Sequence, residues 1–376
     1  MKKNLMLLAA FALSSATVMT SCKSSDDNVD PNGSVDELAV LAGTISENVT
    51  LESGKSYELD GAYTVPAGKT LTIEEGVTIT ALDGGEVDFI LVQQGGKIMA
   101  QGTADAPIVM TSELKEHGAW GGVHICGYAE TNIGEGTSEV GSSPYGGDDN
   151  SDNSGVLSYI RVEYAGYLYS EDKECNGFTF YGVGNGTTVD HLEAYKGSDD
   201  GYEWFGGCVN ASYLVSIDNQ DDAFDWTYGY TGTINNAYAK HLSDKCDHLV
   251  EGDSNKTNPG TTLPISHPTI KNAVLVGVDR GSDNRGLRIR RGSKVTLENV
   301  EVSGKTNSFD FQSEETKAYF TENAATALVN VKATGAIIDA DANEPLSASI
   351  FAGLTIDADL ESAIPDWASG SWVVVK

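Results

Sequence analysis

A recurring aspartate pair constrains this chain more than any other feature. The stretch GSDDGYEWFGG, Gly197 to Gly207, returns 22 residues later as NQDDAFDWTYG, Asn219 to Gly229. The period extends in both directions. Asn176-Gly177-Phe178 precedes Asp200-Gly201-Tyr202 by 24 residues, and Asp222-Ala223-Phe224 follows after 22 more. Lys245-Cys246-Asp247 comes 23 later, and Asn284-Arg285-Gly286 after 39, the surplus falling in GDSNKTNPGTTLPISHP. The first half repeats a shorter phrase: GKSYEL from Gly54, GKTLTIEEGVTI from Gly68 and GGKIMAQG from Gly95, heard again as GSKVTLENVEV from Gly292. Each copy reads as short strand, turn, short strand, with alternating apolar positions such as Leu71 and Ile73. A short period, strand patterning and no amphipathic helix predict a stacked solenoid. The 42 glycines suit its tight corners. The fold class expected is all-β, a single-stranded right-handed parallel β-helix with a C-terminal cap.

The ends divide the chain further. MKKNLMLLAAFALSSATVMTSC has a basic start, an apolar run and a small-residue segment, the layout of a secretory signal over residues 1–21. Its closing Cys22 resembles the acylated first residue of a bacterial lipoprotein, with the acyl chains as membrane anchor. Residues 22–42 read as an acidic flexible linker, 43–307 as the β-helix and 308–376 as the cap. The acidic stretch after Cys22 resembles the surface-export signal of lipoproteins from Bacteroidetes-type bacteria. The expected address is therefore the outer membrane, exposed at the cell surface. With 55 acids against 24 bases, the formal charge is −31. Such a field excludes nucleic acid as a partner. Cys126, Cys175, Cys208 and Cys246 allow three pairings, between which the sequence does not choose.

The wording of the repeats carries a resemblance. ADAPIVMTS, then HGAWGGVHICGYA, then NGTTVDHLEAYKGSDDGYEWFGGCVNASYLV, resemble secreted bacterial β-helix lipoproteins related in fold to pectate lyases. The resemblance covers roughly Gly43 to Gly304. It implies the fold and no particular activity.

Equivalent positions of successive coils lie roughly 4.8 Å apart, so repeat columns become ladders. One is expected to hold Asn176, Asp200, Asp222, Lys245 and Asn284. A second holds Thr179, Glu203, Asp225, His248 and Arg288, and a third Asp199, Asp221, Asp244 and Asp283. Many of these acids suit turns. Glu203 and Asp225 instead alternate with aromatics on strands, and stacked carboxylates need a cation, a base or a proton. Arg280, Arg285, Arg288, Arg290, Arg291 and Lys294 offer the base, and a ladder neutralised by Arg288 would be purely structural.

Three functions compete with that scaffold. The leading one is binding of polysaccharide or another extracellular partner, with Trp204 and Trp226 as flat platforms and Glu203, Asp225 and Arg290 at their edges. The second is hydrolysis. The order Asp199-Asp200, Asp221-Asp222, His248, Arg288-Ile289-Arg290 is similar to the motif order of polygalacturonase-type β-helix hydrolases. That similarity implies Asp200 and Asp221 activating water, Asp222 as acid, His248 as support, and Arg288 with Arg290 on a substrate carboxylate. Ser198 stands where the motif has Asn, Cys246-Asp247-His248 lacks both glycines, and Arg290 replaces a Lys. The third is elimination by a lyase, with calcium on Asp199, Asp200, Asp221 and Asp222 and Arg288 or Arg290 as base.

Overall fold

The computed structural model describes residues 38–85, 87–170, 173–281, 284–339 and 344–375. The signal segment, Cys22, most of the linker and Asp283 lie outside them. Parallel pairing runs through one sheet of 25 strands, wound as a β-helix. No helix among the described residues is long and apolar enough to cross a membrane.

From Gly155 onward every coil has three faces. One bent strand supplies the first two: Gly155–Glu163, Thr188–Tyr195, Ala211–Ile217, Thr233–Lys240, Thr269–Val276, Thr296–Ser303 and Leu328–Ala333, each paired in parallel with the next. The bend falls at Tyr159, His191, Tyr213, Asn236, Asn272, Asn299 and Asn330, all left-handed at φ between 51° and 60°. Asn tolerates that region better than other residues with a side chain, which explains the later half of the column. In the first coils the bend is a full turn, so Thr70–Ile73 and Thr78–Ala81 are separate strands. Gly155–Glu163 bridges the two styles, pairing with Lys97–Gln101 and then with Ile108–Ser112.

The third face stacks Phe89–Val92, Val123–Cys126, Phe178–Tyr181, Tyr202–Phe205, Phe224–Thr227, Val250–Gly252, Arg285–Ile289 and Asn307–Phe311. Period-two alternation sends Phe178, Tyr202 and Phe224 inward, where their rings stack at 5.3 and 5.5 Å. Phe180 stacks on Trp204 at 5.8 Å in the same core. At Gly201 a Cβ would meet the Ser216 hydroxyl at 2.6 Å and the Ala223 carbonyl at 2.8 Å, so this corner closes only around glycine.

Coil stacking continues past residue 307. Asn307–Phe311 lies across the expected cap boundary, and Leu328–Ala333 and Leu354–Ile356 extend the first two faces. Helix Glu314–Glu322 sets Phe320 on Phe311 at 4.1 Å, closing the core at this end. Residues 361–375 then run back along the second face as a strap. Trp367 meets Tyr213 edge-on, and Trp372 meets Tyr159 and His191. The Val374 N–H donates to both Glu193 oxygens at 2.8 and 2.9 Å, and the Ser371 hydroxyl to the Ala104 carbonyl at 2.7 Å. Among the described residues, Cys126, Cys175, Cys208 and Cys246 are all unpaired thiols.

Candidate functional site

The aspartate pairs occupy the turn between the second and third faces, residues 196–201, 218–223 and 241–249. Asp200 Oδ1 accepts the Asp222 backbone N–H at 2.9 Å, and Asp222 Oδ1 accepts the His248 N–H at 2.7 Å. Each side chain thus ties its turn to the turn of the next coil, as Asp does in turns generally. The Nδ1 of His248 lies 2.8 Å from the same Asp222 oxygen.

The outward column of the third face runs Leu91, His124, Thr179, Glu203, Asp225, Glu251, Arg288 and Asp310. Its neighbour two residues on holds Cys126, Tyr181, Phe205 and Thr227. The face is graded. Its first coils are apolar and covered by the excursion 127–154, whose Val140 and Tyr145 pack on Leu91, Cys126, Tyr181 and Phe205. Its middle is acidic and its far end basic.

At that far end the acids are matched. Arg288 lies 3.2 Å from Glu251, which Arg290 also contacts; Arg290 lies 2.6 Å from Asp253, which Arg291 also contacts. Arg285 pairs with Asp310 at 3.2 Å, and Arg280 with Asp247 at 2.7 Å. Two coils earlier the arrangement reverses. Oxygens of Asp200, Asp221 and Asp222 lie within 4.8 Å of one another, as do those of Asp200, Glu203 and Asp225, and those of Glu174, Asp199 and Asp221. Positive charge reaches this group at its edges, from Arg280 toward Asp221 and from Arg290 toward Asp225. Asp222 has His248, and Glu203 accepts only the Asn176 amide at 2.7 Å. Burial, reinforced by the neighbouring carboxylates, pushes Asp199, Asp200, Glu203, Asp222 and Asp225 well above the usual carboxylate range. Asp225 Oδ1 and Asn176 Oδ1 are buried without a hydrogen-bond partner.

The group reaches solvent at a hairpin, Leu168–Ser170 against Lys173–Glu174. Glu174 is exposed, and Tyr167, Leu168 and Tyr169 beside it stand open. Glu139, from the excursion, adds a further carboxyl, pushed up to about 7 by burial and by Glu174.

Several expectations are corrected. Trp204 and Trp226 are fully buried, because their strand positions face the coil interior, so neither is a sugar platform. His248 does not share a rung with Glu203 and Asp225; Glu251 does. Turn 241–249 is three residues longer than turn 218–223, so the column of Asn176, Asp200 and Asp222 continues with His248 rather than Lys245. Asp247 likewise replaces Asp244 beside Asp221, its N–H donating to the Asp221 carbonyl at 3.0 Å. Oxygens of Asp200, Asp221 and Asp222 within 4.8 Å fall short of the roughly 6.5–9.5 Å separation that inverting hydrolysis uses. Arg288 and Arg290 are engaged by Glu251 and Asp253 instead of standing free for a substrate carboxylate. Asp199 and Asp221, expected as calcium ligands, do converge, and Glu174 joins them. The repeat period could not reveal Glu174, Glu139 or the tyrosine hairpin, since each lies on an excursion from the coil.

A family model described as a pectate-lyase-like beta helix domain matches residues 43–373. No curated protein and no solved structure matches.

Proposed function

Because the chain belongs to the pectate-lyase-like β-helix domain family, we propose that it is a cell-envelope protein, lipid-anchored at Cys22, that holds polysaccharide at its acidic turn through bound calcium. One observation carries the reading: carboxylates crowd turns 196–201 and 218–223 in excess of the bases beside them, while the same ladder two coils on is matched by arginines. Carboxylates so placed need a cation or protons. The donor set is all oxygen, which suits calcium, and the orphaned Asp225 oxygen fits such an ion. Exposed Glu174 offers the way in, with Asp199 and Asp221 behind it. A net charge of −31 repels acidic polymers unless a cation bridges them. Tyr167 and Tyr169 supply the apolar surface that Trp204 and Trp226 do not.

Cleavage is the second reading, favoured by Asp222, a buried carboxyl held high beside the less buried Asp221, the setting a general acid needs. The short carboxylate spacing and the engaged arginines put binding ahead of it.

The test incubates the full chain with polygalacturonate and with neutral glucans, in calcium or in EDTA. Retention of polygalacturonate in calcium should fall about tenfold in EDTA and equally in Asp221→Asn or Glu174→Gln, one lost ligand costing about as much as 1.4 kcal/mol. Retention indifferent to EDTA would sink the calcium bridge. Reducing ends released by wild type and absent with Asp222→Asn would replace binding with hydrolysis.

A further inference from the structure

A groove separate from the acidic turn lies where the strap leaves the last coils. It encloses about 470 Å³ between the left-handed bend column and residues 361–367. Its floor is a ladder of side-chain amides. The Asn272 Nδ2 donates to Asn235 Oδ1 at 2.9 Å, Asn299 to Asn272 at 3.1 Å and Asn330 to Asn299 at 2.8 Å. Asn272, Asn299 and Asn330 are exposed. The opposite wall presents Trp367, Pro365 and Ala363.

Asn272 and Asn299 each spend one N–H and one lone pair on their neighbours, and Asn330 spends one N–H. An amide carries two N–H donors and two acceptor lone pairs, so each of these rungs keeps at least one of each for a ligand. The rungs repeat at roughly 4.8 Å along the solenoid axis. That is close to the length one pyranose adds to an extended chain. Sugar hydroxyls both donate and accept, and the C–H face of a pyranose packs on an indole. Charge narrows the choice. Lys332 is engaged with Glu301 at 3.8 Å, and Glu361 adds an exposed acid, so an anionic chain is disfavoured here.

We infer that the groove between the asparagine ladder and Trp367 binds an uncharged glycan, laid along the solenoid axis with about one sugar per coil. The ladder fixes the register and Trp367 supplies the apolar wall. This site is independent of the acidic turn and needs no metal.

The experiment titrates the full chain, in detergent, with uncharged hexasaccharides (cello-, xylo-, manno- and laminari-linked) and reads heat and tryptophan fluorescence. At least one should bind, equally in calcium and in EDTA. Trp367→Ala should weaken it about tenfold, the scale of one lost aromatic contact. Asn299→Ala should weaken it about threefold, the scale of a modest hydrogen bond. Trp367 also packs on Tyr213, so Trp367→Ala is read only if its melting temperature is unchanged. Ala363→Trp is the second variant: Ala363 is exposed, and a large ring there fills the groove without entering the core. It should abolish binding. The inference is overturned if no hexasaccharide binds wild type, if binding survives Ala363→Trp, or if EDTA removes it, which would move the glycan to the acidic turn.

Discussion

Glu203 and Trp204 are neighbours in sequence with opposite surroundings. Strand alternation points Trp204 into the coil, stacked on Phe180, and leaves Glu203 among carboxylates on the outer face. Trp204→Ala should therefore destabilise by about 3–5 kcal/mol in urea unfolding, the cost of emptying a large core site. Trp204→Phe should cost clearly less, because the Trp204 N–H is buried without an acceptor and its removal loses no hydrogen bond. Equal losses for the two variants would mean that the indole N–H has a partner after all. The alternation of Glu203 with Trp204 was legible in the repeat. Which of the two faced inward was not, since an acid and an aromatic can each occupy the solvent side of a small coil.

Turns and excursions decide what the repeat leaves open. The rungs through Asp225 follow from counting, but turn 241–249 is three residues longer than its predecessor and displaces the rung of its own coil. Counting from the Asp pairs put His248 where Glu251 stands, because nothing in the sequence marks a turn that lengthens without breaking the strands around it. The strap was equally illegible: SGSWVVVK reads as a strand, yet it packs against coils more than 150 residues earlier in the chain. Its anchor is Glu193, whose carboxyl burial pushes up to about 8 despite the Val374 N–H and Arg161 nearby. A carboxyl raised in the folded state contributes stability that is complete below the ordinary carboxylate range and lost as pH rises through the folded value. Amide exchange at Val374 should accelerate beyond the intrinsic trend from about pH 5 to about pH 8 and follow that trend above it. In Glu193→Gln that excess should vanish. An excess of equal size in the variant would place the titrating group elsewhere.

Across the whole molecule, the outer third face passes from apolar through acidic to basic along the axis. The repeat period made the solenoid itself legible, and the arginine-rich stretch Arg280–Lys294 announced the basic end. The acidic middle follows the same linkage rule as Glu193, summed over several raised carboxyls. In EDTA the melting temperature should be higher at pH 6 than at pH 8, because protons relieve the repulsion. Calcium at about a hundred times its dissociation constant should add about 2.7 kcal/mol at pH 8. Its effect should shrink toward pH 6 as protons compete for the same oxygens. A melting temperature that calcium leaves unchanged at pH 8 would remove the metal from this turn.

The strap has a consequence in time. It comes after every coil it grips, so a chain emerging from one end winds its coils before the segment that fastens them exists. Until residues 361–375 arrive, the ring stack of Tyr159, His191 and Tyr213 lacks its tryptophan edges, and Glu193 lacks the amide it receives. A nascent molecule would thus wear a bare aromatic flank on its second face, a handhold for chaperones that disappears once the latch closes.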